Sequence, residues 1–226
     1  MSKKSKDSIL DNYGGLINSL LIANGVSILL FILRVIDSGG FRYWFLLWNL
    51  LLAWLPLVFA LTLTLRLKTT RLKDTVNILL IILWLGFLPN SFYLVSDLIH
   101  LQITAEVSVL YDAVLFMSFI MNGFISGYLS VYFVHTALIK RLGVQTAHYF
   151  IGFVFLLCGF AIYLGRVLRW NSWDLFLHPT SIAFDVSEQV VNQAAQSRAS
   201  VTTLSFFILT GGMYLALWQL VRDRKN

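Results

Sequence analysis

Apolar residues gather in six long blocks, at about 16–36, 43–65, 75–95, 107–138, 147–164 and 201–221, with short polar stretches between them. A helix rises 1.5 Å per residue, so about 20 apolar residues cross the ~30 Å hydrocarbon core of a bilayer. The pattern predicts an all-α polytopic integral membrane bundle of six transmembrane helices, forming a single domain over residues 1–226. The first block is too long for the apolar core of a signal peptide, and no small-residue cleavage site follows it, so it predicts an anchor. Residues 1–12, with Lys3, Lys4 and Lys6, predict a loose tail, and Asp37-Ser38-Gly39-Gly40 predicts a tight turn. Phe41, Tyr43, Trp44 and Trp48 predict an aromatic belt at the entrance to the second block. Gly123 and Gly127 stand four apart in the fourth block, a spacing that lets two helices approach closely. Asn24, Asn49, Asn77 and Asn122 predict hydrogen bonds between helices. His135 and His148 read as interfacial, and Cys158 reads as core packing.

Composition strengthens this reading. The chain is 58% hydrophobic and 12% charged, with mean hydropathy +0.77, whereas a soluble domain is about 25% charged. A net charge of +6 would suggest nucleic acid in a soluble protein; here it belongs to topology, and no nucleic-acid partner is expected. With the N-terminus inside, the inner segments hold twelve basic residues: Lys3, Lys4, Lys6, Arg66, Lys68, Arg71, Lys73, Lys140, Arg141, Arg222, Arg224 and Lys225. The outer side holds five: Arg34, Arg42, Arg166, Arg169 and Arg198. That bias, in short loops, predicts that both termini are cytoplasmic. One cysteine supports neither an intramolecular disulfide nor a Cys-based metal site.

The longest polar stretch, 166–200, then lies outside. Asp185 at a capping position, with Glu188 three residues on, predicts a short amphipathic helix over 185–196. Ile182, Val186, Val190 and Ala194 recur every fourth residue. Such a helix lies over the outer mouth of the bundle or on the membrane surface.

The chemistry concentrates at the end of the third block. In WLGFLPNSFYLVSDLIHL, Trp84 to Leu101, an α-helix puts Asn90, Tyr93, Asp97 and His100 within an arc of about 80°, a polar stripe about 15 Å long. Pro89 opens the stripe and predicts a kink near residues 86–88. The topology brings this stripe to the outer end with Glu106, Asp112, Arg166, Arg169, Trp170, Asn171, Trp173, Asp174 and His178. Ionisable groups near membrane depth pair or act. Asp97, and after it Asp112, is the expected partner of Arg166 or Arg169.

Four readings fit that cluster. It can be a structural network that locks the helices. It can be a pocket for an anionic headgroup, since two arginines beside Trp170 and Trp173 suit phosphate or carboxylate. It can be catalytic, with Asp97 or His100 as general base. A metal at Asp97, His100, His178 and Asp174 is the fourth, but no H-E-x-x-H or similar pattern supports it. No Gly-rich phosphate loop, nucleophile elbow or Walker pattern is present, so no cofactor is expected. The expected partners are the lipid bilayer and an anionic lipid headgroup. A membrane-embedded enzyme and a partner-stabilising membrane subunit are the alternatives, the latter resting on a helix face such as Gly123 and Gly127.

LPNSFYLVSDLIHL (Leu88 to Leu101) and GRVLRWNSWDLFLHP (Gly165 to Pro179) resemble the membrane proteins grouped as domain of unknown function 1361, and the resemblance extends over most of the chain. It implies a multi-pass protein of the bacterial inner membrane and supplies no activity and no catalytic residue. Its motif positions, among them Pro89, Asn90, Asp97, His100, Gly165 and Arg166, coincide with the polar cluster.

Overall fold

The computed structural model describes the backbone of residues 3–102 and 107–223, and their side chains except at 3–13, 175–176, 189–191, 193–195 and 223. The chain order is α1 (Lys3–Ser38), α2 (Phe45–Arg66), α3 (Thr75–Tyr93), a 3₁₀ segment (Leu94–His100), α4 (Val109–Leu142), α5 (Val144–Val167), α6 (Asp174–Leu177), α7 (Pro179–Val191) and α8 (Gln193–Asp223). No strand occurs among the described residues. Six segments are long and apolar enough to cross a membrane: Gly14–Ser38, Phe45–Arg66, Thr75–His100, Val109–Leu142, Val144–Val167 and Gln196–Arg222. The protein is an all-α, multi-pass membrane bundle.

Three contacts fix the alternation of the helices. Arg42 donates to Gln102 at 3.0 Å, joining the first connection to the third. Arg166, at the end of α5, donates to Ser96 and Asp97 beside the third. Arg141, at the end of α4, donates to the carbonyls of Leu67 and Thr70 in the second connection. The first, third and fifth connections therefore share one end of the bundle, called distal here, and the start of α1 and the end of α8 lie at the other.

α4 is the most buried of the six spans, while α1 and α8 are the least. Leu46, Leu50, Ala53, Leu57, Ala60 and Leu63 bury one stripe of α2 at the three- and four-residue spacing of a helix face. The glycines of α4 bring α3 close. A Cβ on Gly123 would lie 2.5 Å from the carbonyl oxygen of Ser91, and one on Gly127 would lie 2.7 Å from the Ser91 Cβ. Ser91 in turn donates to the Ala53 carbonyl at 3.0 Å, so α2, α3 and α4 meet at this residue. The face marked by Gly123 and Gly127 is filled from within the chain.

Asn24, Asn49, Asn77 and Asn122 each bridge helices. Asn24 accepts from Trp54 Nε1 at 3.2 Å, Asn49 donates to Asp97 at 2.7 Å, Asn77 accepts from Arg66 at 3.1 Å and Asn122 donates to Ser27 at 2.7 Å. Each bond satisfies polar groups that hydrocarbon would leave unpaired. His135 is buried rather than interfacial: its Nδ1 lies 2.8 Å from the Tyr214 hydroxyl, and its ring lies 4.2 Å from that of Trp218.

Three local expectations are corrected. The stretch expected as a loose tail is helical from Lys3, continuous with the first span. The stripe after Tyr93 is 3₁₀ rather than α; the tighter winding eclipses residues three apart, so Leu94, Asp97 and His100 stand in one row. The amphipathic helix runs over Pro179–Val191 rather than from Asp185. Proline at its first position supplies the start, where the missing N–H is no loss, and Asp185 sits mid-helix, free for another partner. Ile182 lies on its buried side; the side chains of Val190 and Ala194 lie outside the described residues.

Candidate functional site

At the distal end a cavity of about 700 Å³ opens among α2, α3, α5 and α7. Its polar wall is built around Arg166 in the last turn of α5. Nε and Nη2 of Arg166 donate to Ser96 Oγ at 3.0 and 2.7 Å. Nη2 also donates to Asp97 Oδ1 at 2.5 Å, and Nη1 lies 3.0 Å from His100 Nε2. The guanidinium carbon sits 4.5 Å above the centre of the Tyr93 ring. The other carboxylate oxygen of Asp97 accepts from Asn49 at 2.7 Å. Ser96 donates to the Tyr93 carbonyl at 2.6 Å, which leaves its oxygen free to accept from Arg166.

The chemistry of the group follows from this geometry. A guanidinium only donates, so in this contact His100 Nε2 is the acceptor. Of the five N–H groups on Arg166, four are spent on Ser96, Asp97 and His100, and one on Nη1 remains. Asp97 is 2% exposed and Arg166 only partly buried, so the carboxylate backs the guanidinium and the guanidinium faces the cavity. A buried carboxylate without such partners would be costly; here the ion pair and the Asn49 bond compensate it.

The remaining wall comes from several helices. Asn90 donates to Ser172 at 2.8 Å and to the Phe87 carbonyl at 2.9 Å. Trp170 donates to Asp185 at 2.8 Å, tying α7 to the end of α5, and Ile182 and Val186 of α7 line the cavity. Asn171 and Trp173 line it too; the backbone and side-chain amides of Asn171 donate to Asp174 at 2.7 and 3.2 Å.

The expected cluster therefore divides. Asn90, Tyr93, Asp97, His100, Arg166, Trp170, Asn171 and Trp173 line one cavity. Asp174, Arg169 and His178 do not. Asp174 accepts from Asn171 within its own turn. Arg169 has φ +62°, and the Trp170 N–H bonds the Leu164 carbonyl at 3.2 Å. This is a helix C-terminal motif that uses a left-handed residue, and it leaves Arg169 exposed. His178 is exposed just ahead of Pro179. Glu106 lies outside the described residues.

Asp112 belongs elsewhere, which corrects its assignment as a partner for Arg166 or Arg169. It accepts from Arg34 at 3.0 Å and from the Tyr43 hydroxyl at 3.1 Å, with both ion-pair side chains fully buried. Burial, followed by the adjacent carboxylate, raises the Tyr43 hydroxyl above its ordinary pKa, so it stays a neutral donor. Arg34 also lies 4.4 Å over the Tyr43 ring. This second polar node clamps α1 to α4. The sequence signal for it was present: Arg34 stands within the apolar first block, and an arginine there needs a buried acid. Ser172 and Trp48 were also missed as cavity residues, and Ser96 as the hydroxyl that accepts from Arg166. Asn49 stood out as a polar residue in the second span, but its partner lies 48 positions away.

Asp97 and His100 both bond Arg166. Among the described residues no three His, Cys, Asp or Glu side chains converge.

The family model described as "Protein of unknown function (DUF1361)" matches residues 48–215. The chain belongs to this family. The matched DUF1361 region holds every residue of the Arg166 group and stops short of Arg34 and the rest of α1. No curated protein and no solved structure matches.

Proposed function

We propose that the Arg166 cavity recognises the head of an anionic lipid or cell-envelope precursor at the outer face of the bacterial inner membrane, with the chain working as a single transmembrane unit, both termini cytoplasmic. The observation that carries this reading is the spare Nη1 donor of Arg166, held in a large cavity whose wall His100 shares. A guanidinium N–H turned to a cavity suits an oxygen of a phosphate or carboxylate. Asp97 is a positioning residue: it fixes the guanidinium while its own oxygens accept from Arg166 and Asn49. The twelve-to-five charge bias supports the orientation.

A general base needs a free acceptor. His100 Nε2 is taken up by Arg166, and Asp97 is 2% exposed behind the guanidinium, which favours recognition over proton abstraction. The Gly123 and Gly127 face, on which a partner-stabilising subunit would rely, is occupied by α3.

The experiment is a titration of the purified protein with phosphatidylglycerol or with diacylglycerol, which lacks the phosphate, followed by tryptophan fluorescence, since Trp48, Trp170 and Trp173 line the cavity. A charged hydrogen bond is worth about 1.5–3 kcal/mol, so phosphatidylglycerol should bind about tenfold tighter or more, and Arg166→Gln should remove most of that preference. Equal affinity for the two lipids in the unaltered protein would refute the reading.

A further inference from the structure

The polar group occupies only part of the cavity. Beyond it the wall is hydrocarbon, with Leu85 and Pro89 from α3 and Val154, Leu157, Ala161 and Leu164 from α5. Two lining residues, Ile82 and Leu157, are 44% and 41% exposed although both lie inside membrane spans. The cavity is therefore open sideways, toward lipid, at membrane depth. From Val154 to Arg166 is 12 residues, about 18 Å of helix at 1.5 Å per residue, the length of an extended chain of roughly fourteen methylenes. A cavity of about 700 Å³ lies within the usual range for one small ligand, leaving room for a head and one chain rather than two.

We infer that this trough holds one hydrocarbon chain of the lipid whose head Arg166 takes, and that the chain enters sideways between α3 and α5. The inference rests on the headgroup reading above and adds the class of ligand: an amphiphile with one long chain inside the protein and any second chain left in the bilayer. Apolar walls without polar groups to hold water favour a chain over solvent. Position also matters. The trough begins where the guanidinium ends, so one molecule can satisfy both parts at once.

The test is a series of butyl, octyl and tetradecyl phosphate, with inorganic phosphate as the head alone, titrated into the detergent-solubilised full chain and read by tryptophan fluorescence. Each methylene moved from water to hydrocarbon is favourable, so tetradecyl phosphate should bind about tenfold tighter or more than butyl phosphate. Ala161→Phe, which fills the trough, should remove most of that gain and leave butyl phosphate affinity unchanged. Leu157→Trp, at the exposed mouth, serves as a second variant should the first fail to fold. The same gain with chain length in the unaltered protein and in the folded variant would overturn the inference, because the chain would then be sitting in the micelle. The headgroup reading would survive that result so long as Arg166→Gln weakened every alkyl phosphate. Binding that ignores Arg166→Gln throughout would sink both.

Discussion

Asp97 Oδ1 lies 2.5 Å from Nη2 of Arg166, across 69 positions of sequence. The contact binds the 3₁₀ extension of α3 to the last turn of α5. It decides which arginine serves the cavity and which does not. Arg169, one turn further along, is swung outward by the left-handed residue that ends the helix, which is Arg169 itself.

A double-mutant cycle in detergent measures this contact. Arg166→Gln should destabilise by about 3 kcal/mol, because it leaves the buried Asp97 charge uncompensated, and Asp97→Asn by less, because Arg166 is partly exposed. The double variant should lose less than the sum, with a coupling of about 1–3 kcal/mol. Asp112→Asn combined with Arg166→Gln should be additive, because Asp112 pairs with Arg34. Coupling between Asp112 and Arg166 would contradict the described pairing.

Arg169 is the only non-glycine residue with positive φ among the described residues. A side chain in that conformation costs about 1–2 kcal/mol, which glycine avoids. Arg169→Gly should therefore raise the melting temperature, with a stability gain of about 1 kcal/mol. A fall in melting temperature would mean that the exposed Arg169 side chain makes a compensating interaction in its surroundings.

The junction at Ser91 leaves no space for added atoms. Gly127→Ala would place a Cβ 2.7 Å from the Ser91 Cβ, so α3 and α4 must separate, at a cost of about 1–3 kcal/mol. Gly212→Ala is the control, since nothing lies within 4 Å of a Cβ there; it should be neutral or slightly stabilising in thermal melts. Equal effects of the two substitutions would show that α3 and α4 do not approach as described.

Much of this arrangement could be read from the chain, and the exceptions have physical causes. Six apolar blocks specify six spans because bilayer thickness sets their length. Asp97, His100 and Arg166 could be grouped because helix alternation brings the ends of α3 and α5 together. What topology cannot convey is rotation about a helix axis. Asp112 and Arg166 share the distal end, yet Asp112 faces α1. Arg169 was misplaced because a single left-handed residue redirects everything after it. Asp185 looked like a cap because its spacing to Glu188 fits a capping box, but Pro179 starts the helix earlier, and the carboxylate goes to Trp170.

Orientation is tested by reporter fusions. Fusions after Lys73 and Arg141 should read cytoplasmic, and fusions near Ser38 and Gln102 should read external. The reverse pattern would put the Arg166 cavity on the inner leaflet and change which lipids reach it.

The central claim is that Arg166 holds a lipid head. Native mass spectrometry of the protein extracted in mild detergent tests it most directly, by comparing the unaltered chain with Arg166→Gln and Arg166→Lys. The expected result is one retained anionic lipid per chain in the unaltered protein, little in Arg166→Gln, and an intermediate level in Arg166→Lys, which keeps the charge without the planar fork. Retention of the same lipid at the same level in all three would contradict it.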